Sequence, residues 1–356
     1  MISVANKPQA VKRQGLKALF FWLRTSCYCL PLLFLGLLSA CQPAPQVHKF
    51  AGATMGTTYH VTVVAAQVPG DLPQQIQAVL DKVNGLMSTY IPDSQLNQFN
   101  GLSAGEKMTL APELIEVLTI SQQIYRATDG AFEPTVGPLV ELWGFGAAET
   151  REQVPEPARI EQAKERIGFS QLQLDDLNAE KRADIRIDLS AVAKGYAVDL
   201  VSELLSAEGL TNYLVEVGGE MRLSGIKDDG SSWRIGVEKP TEGPRAIRIG
   251  VNVTDAAVAT SGDYRNYFER DGVRYSHTID PQTGYPVTHT LASATVIADN
   301  CARADALATA FMVMGEERSL ELAERLQLPV YLLVKQGDSF VARYSTAFEP
   351  YINPSS

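Results

Sequence analysis

The stretch from Thr260 to Thr309 leaves this chain few folds to choose from. Arg270-Asp271-Gly272 separates two aromatic-rich runs, YRNYFE and VRYSHTID. Asp-Gly supplies the positive φ that a tight turn needs, so the runs are expected to pair as an antiparallel hairpin. Pro281 to Gly284 closes a second turn, with His277 and Asp280 at its mouth. LASATVIA then reads as a buried strand, and Asn300 can cap a helix running through Met314 with an apolar inner face. Strands that fold back on themselves before handing over to a helix predict an α+β fold with antiparallel sheets, not a doubly wound parallel sheet. On that helix Asp305 and Thr309 are four apart and project from one face. A carboxylate and a hydroxyl beside a phosphate-bearing ligand suit Mg²⁺. The same spacing suits a solvated face, and spacing alone leaves both readings open. His277 is open in the same way, between a surface residue and a catalytic one.

The first forty residues read as an address. Lys7, Lys12, Arg13, Lys17 and Arg24 precede an apolar run from Cys29 to Leu38, and no acid occurs before Asp71. That is the charged and apolar layout of a secretory signal, too short for a comfortable membrane span. Leu38-Ser39-Ala40-Cys41 resembles the bacterial lipoprotein cleavage box, in which the Cys is lipidated and becomes the new N-terminus. Residues 1–40 are therefore expected to be a signal peptide and 41–49 a lipidated start and tether. A catalytic domain is expected over 50–350. The expected location is the bacterial periplasm, lipid-anchored through Cys41. Gln42 after the Cys favours the outer membrane over the periplasmic face of the inner one.

Loss of the signal removes five basic residues and no acid. This leaves 26 Lys and Arg against 41 Asp and Glu, a formal charge of −15, which excludes nucleic acid as a natural partner. Cys27 and Cys29 leave with the signal and Cys41 is lipidated, so Cys301 has no partner for an internal disulfide. No linker, repeat or low-complexity tract divides the body, which is expected to be one interlocked domain.

Within it, Phe50 to Ala65 reads as a strand pair broken at Met55-Gly56-Thr57. Leu72 to Leu86 and Pro112 to Thr128 read as amphipathic helices, and Ala158 to Ile167 as a shorter one. A long loop, AFEPTVGPLVELWGFG, begins at Ala131, and Glu149 to Pro157 is a polar connection. Ala183 to Asp188 reads as a strand running into Leu189-Ser190-Ala191-Val192-Ala193-Lys194-Gly195 and a helix. A small-residue turn at a helix start offers free N–H groups to an anion, and Lys194 adds a charge. Read alone, the stretch is equally an acid cap and a solvated lysine. It lacks P-loop spacing, and no GxGxxG follows a strand elsewhere. Asn212 to Thr260 reads as a meander of successive strands, and Leu328 to Arg343 as a closing hairpin about Gln336-Gly337-Asp338.

Taken together these segments resemble the ApbE family of flavin transferases. The matching residues are Met55-Gly56-Thr57, Ser88-Thr89-Tyr90, Asp129 to Pro134, Asp188 to Gly195, Val217-Gly218-Gly219-Glu220, Thr260 to Tyr264, His277 to Pro281, and Ala304 to Thr309, in the family's order. The resemblance implies transfer of FMN from FAD, used as substrate, to a Thr or Ser of a target flavoprotein, with AMP released. It implies FAD contacts from Met55, Tyr90, Ala131, Phe132, Glu133, Asp188, Lys194 and Ile279. It further implies Mg²⁺ held by Asp305, Thr309 and the Ala191 carbonyl. His277 is implied beside the reacting phosphate as general base, with Asp280 to orient it. The expected target is an exported flavoprotein subunit of a membrane redox complex. Two alternatives share these residues: an exported Mg²⁺-dependent FAD pyrophosphatase, and a lipid-anchored flavin-binding protein without chemistry.

Overall fold

The computed structural model describes residues 44–146, 154–238, 247–263, 267–270, 273–337 and 339–352. The expected signal peptide, Cys41 and most of the Glu149–Pro157 connection lie outside them, as do Tyr264, the Asp271-Gly272 turn and Asp338.

An eight-stranded, wholly antiparallel sheet forms the centre. Its strands are β1 (Gln46–Thr54), β2 (Thr57–Ala65), β6 (Tyr213–Val217), β7 (Glu220–Ser224), β10 (Ala256–Gly262), β13 (Leu291–Ala298), β14 (Val330–Gln336) and β15 (Ser339–Tyr344), adjacent in that order. β1 starts at Gln46, so the last four residues of the expected tether are already strand. They pair in register with β2, Gln46 opposite Ala65 and Lys49 opposite Thr62.

Neighbouring residues of the central strands point to opposite faces, and both faces are buried. Val330 and Leu332 enter the larger core beneath α1 (Leu72–Met87), α3 (Pro112–Ala127), α6 (Ala193–Ala207) and α7 (Cys301–Leu326). Tyr331 and Leu333 enter a second core on the other side, against β8 (Trp233–Glu238) and β9 (Ile247–Val253). β8 and β9 were expected to continue the meander, but among the described residues they pair with each other alone. β7 joins β10 directly, Met221 opposite Val258, and so excludes them from the sheet. Their alternation, with Trp233, Ile235 and Val237 buried, fixes which face is apolar but not which neighbour it meets.

Ala183 to Asp188, expected as a strand, begins in a bend, with Ile185 N donating to Ala183 O at 2.8 Å, and belongs to no ladder. Its hydrogen bonds come from other sources. The Asn100 amide donates to Ile187 O and accepts from Ile187 N, both at 2.8 Å, and Asp188 N donates to Pro134 O at 2.8 Å. Asn100 closes α2 (Gln95–Asn100) and serves here as a one-residue strand neighbour. A three-stranded sheet of β3 (Lys107–Thr109), β5 (Asn178–Lys181) and β4 (Leu172–Asp175) lies beside it.

The loop from Ala131 contains a short helix, α4 (Gly137–Leu142), which with α5 (Pro157–Lys164) carries a third apolar cluster. There Trp143 stacks on Tyr275 at 5.6 Å, and Tyr275 on Phe268 at 5.0 Å. These rings seat the expected hairpin, β11 (Tyr267–Arg270) with β12 (Val273–Ser276), on the helical lobe.

α7 starts as the sequence predicts, with Asn300 Oδ1 accepting from Arg303 N at 2.9 Å. Asp199 of α6 adds a second cap by accepting from Cys301 N and Ala302 N, both at 2.9 Å. Arg222 Nη1 donates to that carboxylate at 2.7 Å. Burial raises the Asp199 pKa, and these donors oppose the rise. The helix was expected to run through Met314; a break at Gly315, with φ 77° and ψ −179°, follows, and helix then continues to Leu326. The His289 ring crosses the break, and a Cβ on Gly315 would lie 2.8 Å from its Cδ2.

Candidate active site

A cavity of about 690 Å³ opens between the sheet, the N-terminus of α6, the first turns of α7 and the aromatic lobe. It is large enough for a dinucleotide-sized ligand. Its wall gathers segments far apart in the chain: Tyr90, Ala131–Glu133, Asp188–Ala191, Lys194, Glu220, Ser261, His277–Ile279, Asp305 and Thr309.

Eleven of the thirteen residues implied for FAD, Mg²⁺ and catalysis are therefore brought together: Tyr90, Ala131, Phe132, Glu133, Asp188, Ala191, Lys194, His277, Ile279, Asp305 and Thr309. Tyr90 stands 79% exposed where it lines the cavity. Glu133 lines the wall, but its carboxylate is committed. Oε1 accepts from Thr135 N at 2.9 Å, Thr135 Oγ1 at 2.5 Å and Phe169 N at 3.2 Å. Burial raises its pKa against those bonds. Asp188 Oδ1 accepts from Ser190 N at 2.8 Å and shapes the turn before α6.

Met55 and Asp280 fall outside the wall. Met55 has φ 48° in the β1–β2 turn, and its partly buried side chain packs on the main core. Its turn still touches the site through Thr57, whose Cγ2 would meet a Cβ on Gly218 at 3.0 Å. Asp280 builds the turn that carries His277. Its Oδ1 accepts from Gln282 N at 2.8 Å and its carbonyl from Gly284 N at 2.8 Å. Gly284 O accepts from Trp143 Nε1 at 2.9 Å, which locks that turn to the lobe. The His277 ring meets the edge of Phe145 at 6.4 Å.

Charge concentrates where α6 and α7 meet. Lys194 Nζ lies 2.9 Å from Glu220 Oε1 and 3.7 Å from Asp305 Oδ2, and Asp305 Oδ2 accepts from Gly195 N at 3.1 Å. Burial works against the Lys194 charge, but the Asp305 and Glu220 carboxylates outweigh it and hold the pKa above the usual lysine value. Burial, joined by the Asp305 charge, pushes Glu220 up to about 8 while Lys194 opposes. Glu220 and Asp305 both face Lys194, and the buried Glu220 Oε2 has no hydrogen-bond partner among the described residues. Such a cluster fits an added cation. Among the described residues no group of three or more His, Cys, Asp or Glu forms a metal cage. The oxygens here include the carboxyl groups of Asp305 and Glu220 and the Thr309 hydroxyl, 3.3 Å from Ser261 Oγ, and Ala191 also lines the wall. Mg²⁺ commonly takes one or two carboxylates and leaves the rest of its shell to phosphates and water.

Sequence reasoning missed Glu220, although Val217-Gly218-Gly219-Glu220 carried the signal. It also missed Arg166 and Arg186 on the wall, and nothing in the sequence separates those from other surface arginines.

A mixed α+β scaffold thus encloses a dinucleotide-sized cavity lined by both acids and bases. Residues 55–332 match the ApbE family model, and the chain belongs to the ApbE family. It is 42% identical over 324 residues to the "FAD:protein FMN transferase" of Vibrio cholerae, covering 89% of this chain and 96% of that protein. The solved flavin transferase ApbE from Vibrio cholerae superposes with TM-score 0.79 at 39% identity, covering 86% of this chain and 99% of the other. The apo form of the Pseudomonas stutzeri flavinyl transferase ApbE superposes with TM-score 0.80 at 40% identity, covering 88% and 98%.

Proposed function

We propose that this chain transfers FMN from FAD to a Thr or Ser hydroxyl of a target protein and releases AMP. The observation that carries the proposal is the convergence of Lys194, Asp305, Thr309 and His277 on one cavity in a member of the ApbE family.

The residues divide the work by position. Tyr90 and the Ala131–Phe132 edge offer flat apolar surface to a ring system. Lys194 and the α6 N-terminus attract the pyrophosphate through charge and free N–H groups. Asp305, Thr309 and the Ala191 carbonyl would hold Mg²⁺, which when bound offsets charge on the phosphates. His277 takes the proton of the incoming hydroxyl. The hydroxyl oxygen bonds to the FMN phosphorus as the bond from that phosphorus to the AMP oxygen breaks, and AMP leaves with the electron pair. Asp280 keeps His277 in place through its turn, not through the cavity.

We also propose export and lipidation at Cys41, with a flavoprotein subunit of a membrane redox complex as target. The support for attachment through a lipid is the Leu38-Ser39-Ala40-Cys41 motif. Cys41→Ala should leave the protein unprocessed or soluble, and processing and membrane fractionation unchanged from wild type would refute lipidation.

The test is to incubate the protein starting after Cys41 with FAD, Mg²⁺ and a candidate acceptor. Flavin fluorescence on the denatured acceptor, with equimolar AMP, is the expected result. AMP and free FMN without a labelled protein, across several acceptors, would mean hydrolysis instead.

A further inference from the structure

The cation and pyrophosphate reading leaves Glu220 without a role, and the geometry gives it one. Lys194 stands between two carboxylates. It is hydrogen-bonded to Glu220 at 2.9 Å and only at ion-pair range, 3.7 Å, from Asp305. Its aliphatic stem is set by the β6–β7 turn, where Gly218 has φ 63° and a Cβ would lie 3.2 Å from Lys194 Cδ. The same Cβ would lie 3.4 Å from Glu220 Oε2. One short turn, Gly218-Gly219-Glu220, thus fixes both the stem and the head of Lys194.

Stability alone does not account for an acid here. Glu220 is 5% exposed with one oxygen unpartnered, an arrangement that costs free energy. Without Glu220, Asp305 is the acid left within ion-pair range of the ammonium among the described residues, less than 1 Å beyond hydrogen-bond reach. A Lys194–Asp305 pair would occupy the carboxylate that the proposed site needs for its cation. We propose that Glu220 is a positioning residue which holds Lys194 off Asp305, keeping the lysine for the phosphates and the aspartate for the metal. The inference rests on the functional reading above and adds a residue to it.

The experiment is a double-mutant cycle on the intact domain, reading Mg²⁺ affinity by calorimetry in the presence of FAD and FAD affinity by flavin fluorescence. Glu220→Ala should weaken Mg²⁺ binding about 10-fold or more, as expected for loss of a group that orients a metal ligand. In a Lys194→Met background the same substitution should add less than about 2-fold, because a residue acting through Lys194 has nothing left to act on. Glu220→Gln keeps an oxygen that accepts from Nζ and should restore most of the Mg²⁺ affinity; it also serves if the alanine variant folds poorly.

Equal effects of Glu220→Ala with and without Lys194, or a glutamine variant as weak as the alanine one, would overturn the proposal in favour of direct action on the cation. Unchanged Mg²⁺ affinity in Glu220→Ala would overturn it outright. Asp305→Ala separates the two levels of argument. Mg²⁺ affinity insensitive to that change would refute the cation site itself, whatever Glu220 does.

Discussion

Gly195 packs directly on the backbone of the helix that carries Asp305. A Cβ built there would lie 2.4 Å from Cys301 O, 2.6 Å from Cys301 C and 2.9 Å from Ala302 Cα, all backbone atoms of the first turn of α7. Ordinary contact begins near 3.4 Å, so Gly195→Ala requires α6 and α7 to part by about 1 Å. Two effects compete. Alanine favours helix over glycine by about 1 kcal/mol. Overpacking against a wall that cannot rotate away costs about 1–3 kcal/mol. The clash wins, and a net loss of up to about 2 kcal/mol is expected by urea unfolding, small enough for the protein to stay folded.

Activity should suffer far more than stability. The Gly195 N–H is hydrogen-bonded to Asp305 Oδ2, so parting the helices moves the carboxylate away from Lys194 and the cavity. A displacement of about 1 Å at a reacting site can cost about 10²-fold in rate. The assay is AMP release and acceptor fluorescence at saturating FAD, beside the unfolding curve. A variant that keeps wild-type transfer would refute the claim that this contact sets the site. So would a loss of activity no larger than the unfolded fraction explains.

Further outcomes follow from the same geometry. Asp305→Ala should abolish detectable transfer at any Mg²⁺ concentration, and wild-type protein should lose transfer in chelator. His277→Asn should slow transfer by about 10²–10⁴-fold with FAD affinity little changed, measured by single-turnover AMP release. Asn100→Ala removes both hydrogen bonds to Ile187 and should cost about 2–4 kcal/mol on unfolding, with a raised KM for FAD as the Asp188 segment loosens. In chelator, stability should fall as pH rises from about 4.5 to about 8. Across that window the unfolded Glu220 has already lost its proton while the folded one retains it. Glu220→Gln should flatten the decline in urea midpoints.

Local chemistry made much of this legible in advance. Asn300 caps α7 because its side chain reaches its own helix start, and Asp305 and Thr309 reach one cavity because helical spacing puts them on one face. The hairpin paired at Phe268 and Tyr275 follows from strand alternation about a turn. All of these are set within a few residues of the chain. The separated motifs carried the family and hence the flavin chemistry.

What the sequence left open depends on neighbours that are distant in the chain. Alternation in β8 and β9 revealed an apolar face, but direct pairing of β7 with β10 decided that they form their own layer. Ala183–Asp188 has the pattern of a strand, yet Asn100 and Pro134 satisfy its backbone in place of a ladder. Met55 and Asp280 share motifs with residues of the wall, and only packing and hydrogen bonding assigned them to a core and a turn. Glu220 shows the limit most clearly. A glutamate after two glycines declares no function until β6 and β7 bring it beside a lysine from α6 and an aspartate from α7, because electrostatic work depends on distance through space and not along the chain.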